Sequence, residues 1–128
     1  MNGSYLLDTN IVIAFFRQEE NVVQHVSQAD IYVPIIVVGE LAYGAFNENR
    51  SASDLARIHA FIADVNILGC DERVAEAYGE IKAAQRRKGC PLPENDLWIA
   101  AIAQRHALTL VSRDGHFEEI AGIALATW

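Results

Sequence analysis

Four carboxylates, Asp8, Glu40, Asp96 and Asp114, are the residues of this sequence best suited to chemistry. Asp8 ends the apolar run Tyr5-Leu6-Leu7 and is followed by Thr9, Asn10 and the apolar segment from Ile11 to Phe16, which places it at the carboxyl end of a short strand. Asp114 repeats this arrangement after Leu108-Thr109-Leu110-Val111 and before Gly115-His116-Phe117. Glu40 sits inside a helix that is apolar on most sides, where an isolated ionised carboxylate is expensive to bury. Asp96 opens Leu97-Trp98-Ile99-Ala100-Ala101-Ile102-Ala103, a nearly all-apolar helix whose positive N-terminal end favours the ionised acid. Each acid has a purely structural alternative: a helix cap for Asp8, a narrow exposed stripe for Glu40, an ordinary first-turn acid for Asp96 and an Asp-Gly turn for Asp114.

Taken together, the four acids restrict the chemistry. Two carboxylates about 5 Å apart repel by about 3 kcal/mol at an effective dielectric of about 20, and a divalent cation removes that cost. Oxygen donors without cysteine or paired histidine suit a hard ion, Mg²⁺ with Mn²⁺ as a substitute. Such a centre activates a water and shields a phosphodiester from the nucleophile. His25, His59, His106 and His116 show no metal-ligand spacing, and only His116 lies near these acids in the sequence.

The elements that must position the acids alternate short apolar runs with longer segments of helical period, which predicts an α/β fold with a mainly parallel sheet. The strands are expected at Tyr5 to Leu7, Ile31 to Val33, Asn66 to Gly69, Thr109 to Ser112 and Ile123 to Thr127. Helices are expected from Asn10 to Arg17, Val22 to Ser27, Pro34 to Asn47, Ala52 to Ala63, Asp71 to Lys88 and Glu94 to His106. Pro34 is expected in a first helical turn, Ser51 or Ser53 as a cap, Gly89 just past a helix end and Pro93 at the opening of the next helix. Gly39 and Gly44 cost helix stability relative to alanine, which predicts close approach by a neighbouring element or a ligand. In open parallel sheets ligands gather beyond the carboxyl ends of the strands, where these acids fall.

The 128 residues suit one domain spanning 1–128, and 52% hydrophobic with 21% charged residues excludes a disordered chain. A net charge of −7 argues against a protein that holds nucleic acid mainly through a basic surface. Cys70 and Cys90 have no zinc-cluster spacing and are too few to staple a scaffold, so a reducing compartment is expected. Neither a membrane span nor an export signal is legible, which predicts a cytoplasmic protein.

At these residues the sequence resembles the PIN-domain ribonucleases, and among them the VapC-type toxins of bacterial toxin–antitoxin pairs. Leu6-Leu7-Asp8-Thr9-Asn10 resembles the opening motif of the family, Val38-Gly39-Glu40-Leu41 with Gly44 its glutamate helix, Asn95-Asp96-Leu97-Trp98-Ile99-Ala100-Ala101 its central aspartate motif, and Ser112-Arg113-Asp114-Gly115-His116-Phe117 its closing motif. The resemblance implies a PIN-like fold with an acidic pocket at the strand ends and a metal-dependent endoribonuclease acting on single-stranded RNA. It further implies Asp8 and Asp96 as the core Mg²⁺ ligands, Glu40 and Asp114 completing the pocket, and Thr9, Asn10 and Ser112 as hydrogen-bond partners around it. A homodimer and a small antitoxin that enters or covers the pocket are implied in the same way, and the net charge of −7 with the clustered acids predicts that this partner is basic or arginine-bearing where it meets them. Arg113 then stands near a phosphate, whereas Arg86 and Arg87 either complement their helix dipole or touch the RNA backbone.

Two other acid-bearing α/β families fit less well. A haloacid-dehalogenase-type phosphatase needs a second aspartate where Asn10 stands, and a receiver domain needs an acidic pair and a lysine where Asp8-Thr9 and Ser112-Arg113 stand. The alternative from a different class is a catalytically silent binding module that keeps the same fold.

Overall fold

The computed structural model describes residues 3–47 and 52–128. Among these, five parallel strands form one sheet: β1 (Ser4–Leu7), β2 (Asp30–Pro34), β3 (Asn66–Leu68), β4 (Thr109–Val111) and β5 (Ala124–Ala126), in the order β3-β2-β1-β4-β5. The helices are α1 (Thr9–Phe16), α2 (Glu20–Gln28), α3 (Ile35–Asn47), α4 (Ala52–Ala63), α5 (Glu72–Arg87) and α6 (Glu94–His106), with a 3₁₀ turn at Gly115–Glu119. The expected α/β architecture is therefore present, and every expected strand and helix is found with ends shifted by no more than two residues.

β1 lies at the centre, paired with β2 on one side and β4 on the other. Leu6, Leu7, Val33, Leu110 and Val111 are fully buried, as a parallel sheet covered on both faces requires. Each such side chain contributes about 1.5 to 3 kcal/mol of burial. α6 is buried from Ile99 to Ala103, so the small residues Ala100 and Ala103 let the face that begins at Asp96 lie close to its neighbours. The β1 register pairs Leu7 with Val111, which brings the ends of β1 and β4 side by side and with them Asp8 and Ser112.

Several local expectations are met and others are corrected. Gly89 follows the C-cap of α5 at φ +71°, the left-handed conformation that glycine adopts without strain. Pro93 is the N-cap of α6. Pro34, by contrast, closes β2 instead of opening a helix. Pairing with β1 already ends at Tyr32, so the missing N–H of the proline takes no hydrogen bond from that ladder. Ser53 lies within α4, and Ser51 falls outside the described residues. At Gly39 and Gly44 an added Cβ would meet nothing within 4 Å among the described residues, so no described neighbouring element presses against either glycine. Both instead border open grooves. No helix of the described residues is long and apolar enough to cross a membrane.

Candidate active site

The site forms where β1 and β4 end. Asp8 leaves β1 in an extended conformation and caps α1, its Oδ1 accepting the Thr9 N–H at 2.8 Å. Its own N–H donates to the Val111 carbonyl at 3.0 Å, which ties the two strand ends together. The Ser112 hydroxyl donates to Asp8 Oδ2 at 2.7 Å and accepts the Asp114 N–H at 3.0 Å. Asn10 completes the clamp: its Nδ2 donates to Asp8 Oδ2 and to Ser112 Oγ, both at 3.4 Å, and its Oδ1 accepts the Arg113 N–H at 3.1 Å. Asp8 is only 6% exposed. Thr9, Asn10 and Ser112 thus stand around Asp8 as hydrogen-bonding neighbours, through main chain or side chain.

The other acids approach from different elements. Asp96 comes from the first turn of α6, and Asp114 precedes the 3₁₀ turn, where its Oδ1 accepts the His116 N–H at 2.9 Å. The His116 ring reaches between them, with Nδ1 3.3 Å from Asp96 Oδ2 and 3.2 Å from Asp114 Oδ1. One donor atom from each of Asp96, Asp114 and His116 lies within 4.8 Å of the other two, close enough for one cation to hold all three. Glu40 enters from α3, half-buried. The Thr9 hydroxyl is buried without a hydrogen bond of good geometry, yet it is near enough to Glu40 to favour the ionised form.

Electrostatics bind the four acids into one site. Burial pushes the Asp8, Glu40 and Asp96 carboxyls above the usual carboxylate range. Their negative neighbours add to this: Asp114 acts on Asp8, Asp8 and Asp96 act on Glu40, and Asp8 and Asp114 act on Asp96. The hydrogen bonds from Ser112 and Thr9 to Asp8, and from His116 to Asp96, work in the opposite direction. The donor set fits a divalent cation, since acids that raise one another's pKa are those a cation would relieve. His116 adds a nitrogen donor that sequence spacing alone does not single out, because it reaches the site only through the Asp-Gly-His turn.

The arginines lie elsewhere. Arg113 turns its side chain away from the acids toward Glu19 and the Trp128 carbonyl. Arg86 and Arg87 occupy the last turn of α5, exposed. Beside the acids, a groove of about 380 Å³ starts at Thr9 and Glu40 and runs between α1, α3 and α4 over Ile13, Phe16, Leu41 and Ile58, bordered by Arg17 and Arg57. At Phe16 and Arg57 it meets a second groove of about 680 Å³ floored by Phe15, Val26 and Phe61.

A central parallel sheet with acids from β1, α3, α6 and the loop after β4 is the arrangement of a PIN domain, and residues 5–123 match that family: the chain belongs to the PIN domain family. Within it the similarity is to VapC proteins. The chain is 33% identical to ribonuclease VapC2 of Haemophilus influenzae and 29% identical to the tRNA(fMet)-specific endonuclease VapC of Salmonella typhimurium, each alignment covering 97% of both chains. Among solved structures it superposes on DNA-bound VapBC from Salmonella typhimurium with a TM-score of 0.92 at 29% identity, covering 100% of this chain and 99% of that one. VapBC2 from Rickettsia felis bound to a promoter DNA fragment gives a TM-score of 0.90 at 25% identity, covering 98% of each chain.

Proposed function

We propose that this chain is an endoribonuclease that cleaves single-stranded RNA with a bound divalent cation, Mg²⁺ by preference, and acts as the toxin of a toxin–antitoxin pair. The observation that carries this reading is the convergence of Asp8, Glu40, Asp96 and Asp114, three of them with carboxyls pushed upward by burial and by one another. The VapC relatives and the VapBC complexes supply the reaction class and the antitoxin.

Asp8 and Asp96 would be the core ligands of the cation, with Asp114 and His116 close enough to Asp96 to join them, and the cation when bound supplies an activated water and neutralises charge on the phosphodiester. The remaining work falls to the chain itself. Ser112, Asn10 and the Thr9 N–H fix the rotamer of Asp8 before any ligand arrives, so its carboxylate needs no reorganisation. His116 orients Asp96 and Asp114 toward one point. The imidazole also makes Mn²⁺ an apt substitute, since nitrogen donors suit transition metals better than Mg²⁺. The test is to map RNA ends produced by the purified chain. Metal-dependent 5′-phosphate and 3′-hydroxyl ends are expected, 2′,3′-cyclic phosphates would overturn the mechanism, and RNA binding without cleavage would favour a silent binding module.

The partners belong to the same proposal. An antitoxin segment would lay apolar side chains in the groove beside α1 and direct an arginine to the acids, pairing bidentately with a carboxylate in competition with the cation. Inhibition that excess Mg²⁺ never weakens would count against this. A homodimer would use α3, where Ile35, Tyr43 and Phe46 stand 44%, 67% and 69% exposed on the side opposite the buried Val37, Leu41 and Ala45. Light scattering that detects only a 14.1 kDa species would refute it. Residues 1–128 acting as one unit, and action in the cytoplasm where RNA and antitoxin are made, complete the reading.

A further inference from the structure

Arg113 sits between two residues of the site, Ser112 and Asp114, yet its side chain makes a different set of contacts. Nη2 and Nη1 donate to the two carboxylate oxygens of Glu19, at 2.8 and 3.4 Å, and Nε donates to the Trp128 carbonyl at 3.0 Å. Two parallel N–H bonds to one carboxylate fix the guanidinium in direction as well as distance. We propose that Arg113 is a positioning residue, a brace that holds the Ser112–Asp114 turn from outside, and that Glu19 is its anchor. The inference rests on the reading of the acids as a nuclease site.

Both ends of the brace are themselves held. Glu19 is the N-cap position of α2 and follows Gln18, whose backbone is fixed at φ +62° between Gln18 N–H to Phe15 carbonyl and Glu19 N–H to Ala14 carbonyl hydrogen bonds of 3.0 and 3.2 Å. The Trp128 ring stacks on His25 of α2 at 4.5 Å and meets Tyr5 of β1 edge-on at 5.2 Å. On the site side, the Arg113 N–H is bound to Asn10, Ser112 Oγ to Asp8, and the Asp114 N–H to Ser112. The turn is therefore tied inward by main-chain and hydroxyl bonds and outward by one guanidinium. A phosphate would have to draw Arg113 away from both partners. The Arg113 and Glu19 side chains are 38% and 42% exposed, so the pair adds little to global stability and its loss should be felt locally.

Three variants test the brace: Arg113→Met, Glu19→Gln and the charge swap Glu19→Arg with Arg113→Glu. The first measurement needs neither metal nor RNA. Amide exchange at Arg113 and Asp114 should quicken about tenfold in each single variant, with Tm nearly unchanged. The second is Mn²⁺ affinity, followed by the EPR signal of the free ion, and the third is the kcat and KM of RNA cleavage. Both single variants should lose about tenfold in Mn²⁺ affinity and in kcat with KM held, and the swap should recover most of the exchange protection. A phosphate contact predicts the reverse pattern: Arg113→Met raises KM, Glu19→Gln leaves all three readouts unchanged, and the swap is worse than either single change. That pattern, or unaltered amide exchange in Glu19→Gln, overturns the proposal. A wild-type chain that cleaves no RNA while the exchange and Mn²⁺ results hold would reject the nuclease reading and keep the brace.

Discussion

Asp8 and Asp96 carry the same charge into the same site, and the protein treats them differently. Asp8 is nearly sealed from solvent and receives hydrogen bonds from the Thr9 main chain, the Ser112 hydroxyl and the Asn10 amide, while capping α1. Asp96 is half-buried, makes no cap bond to its own helix, and meets one side chain, His116, which also faces Asp114. Burial raises both carboxyls, but only Asp8 has main-chain and hydroxyl donors to offset it. The first acid is built into the fold. The second is held by its contact with His116, so two residues that look equivalent in a motif are fixed in place by different means.

The largest effect that would break this comparison is a pair of substitutions with equal activity loss and opposite stability. Asp8→Ala and Asp96→Asn should each lower RNA cleavage about a thousandfold or more. In metal-free buffer Asp8→Ala should also cost about 1 to 2 kcal/mol, because it removes a cap and strands buried donors, while Asp96→Asn should leave Tm unchanged or raised as repulsion is lost. Thermal unfolding of the two variants decides it, and a destabilised Asp96→Asn protein would show that both acids are structural.

A smaller effect concerns His116. If it is a replaceable partner of Asp96 and Asp114, His116→Ala should weaken Mn²⁺ binding about tenfold and reduce cleavage more in Mn²⁺ than in Mg²⁺. Equal losses with the two ions would reduce His116 to an orienting role, and no loss would remove it from the site.

The smallest effect belongs to Glu40, which is half-buried without the clamp that surrounds Asp8. Its carboxyl is raised chiefly by burial, so its contribution to stability is present below the ordinary glutamate range and is lost as pH rises through the folded-state value. Glu40→Gln should therefore raise the metal-free Tm by about 1 to 3 °C at neutral pH and leave it unchanged near pH 4. A Tm difference independent of pH would show that the charge of Glu40 is not the cause.

What the sequence determined by itself was local. Short apolar runs ending in Asp8 and just before Asp114, the helical period around Glu40 and Asp96, and the stop signal at Gly89 are all patterns among neighbours a few residues apart, the range over which helical hydrogen bonds and side-chain alternation act. Even the alternative reading of Asp8 as a helix cap was legible, and Asp8 does cap α1 while standing among the acids. Tertiary structure alone decided which of these features meet. The Ser112 bond to Asp8 joins residues 104 positions apart, the Arg113 bond to Glu19 spans 94, and His116 reaches Asp96 across 20. Those contacts follow from β1 lying between β2 and β4, with Leu7 in register with Val111 so that the carboxyl ends of β1 and β4 stand side by side. A hydrogen bond between distant side chains has no periodicity to read, which is why Arg113 reads as a phosphate ligand in sequence and is found holding Glu19.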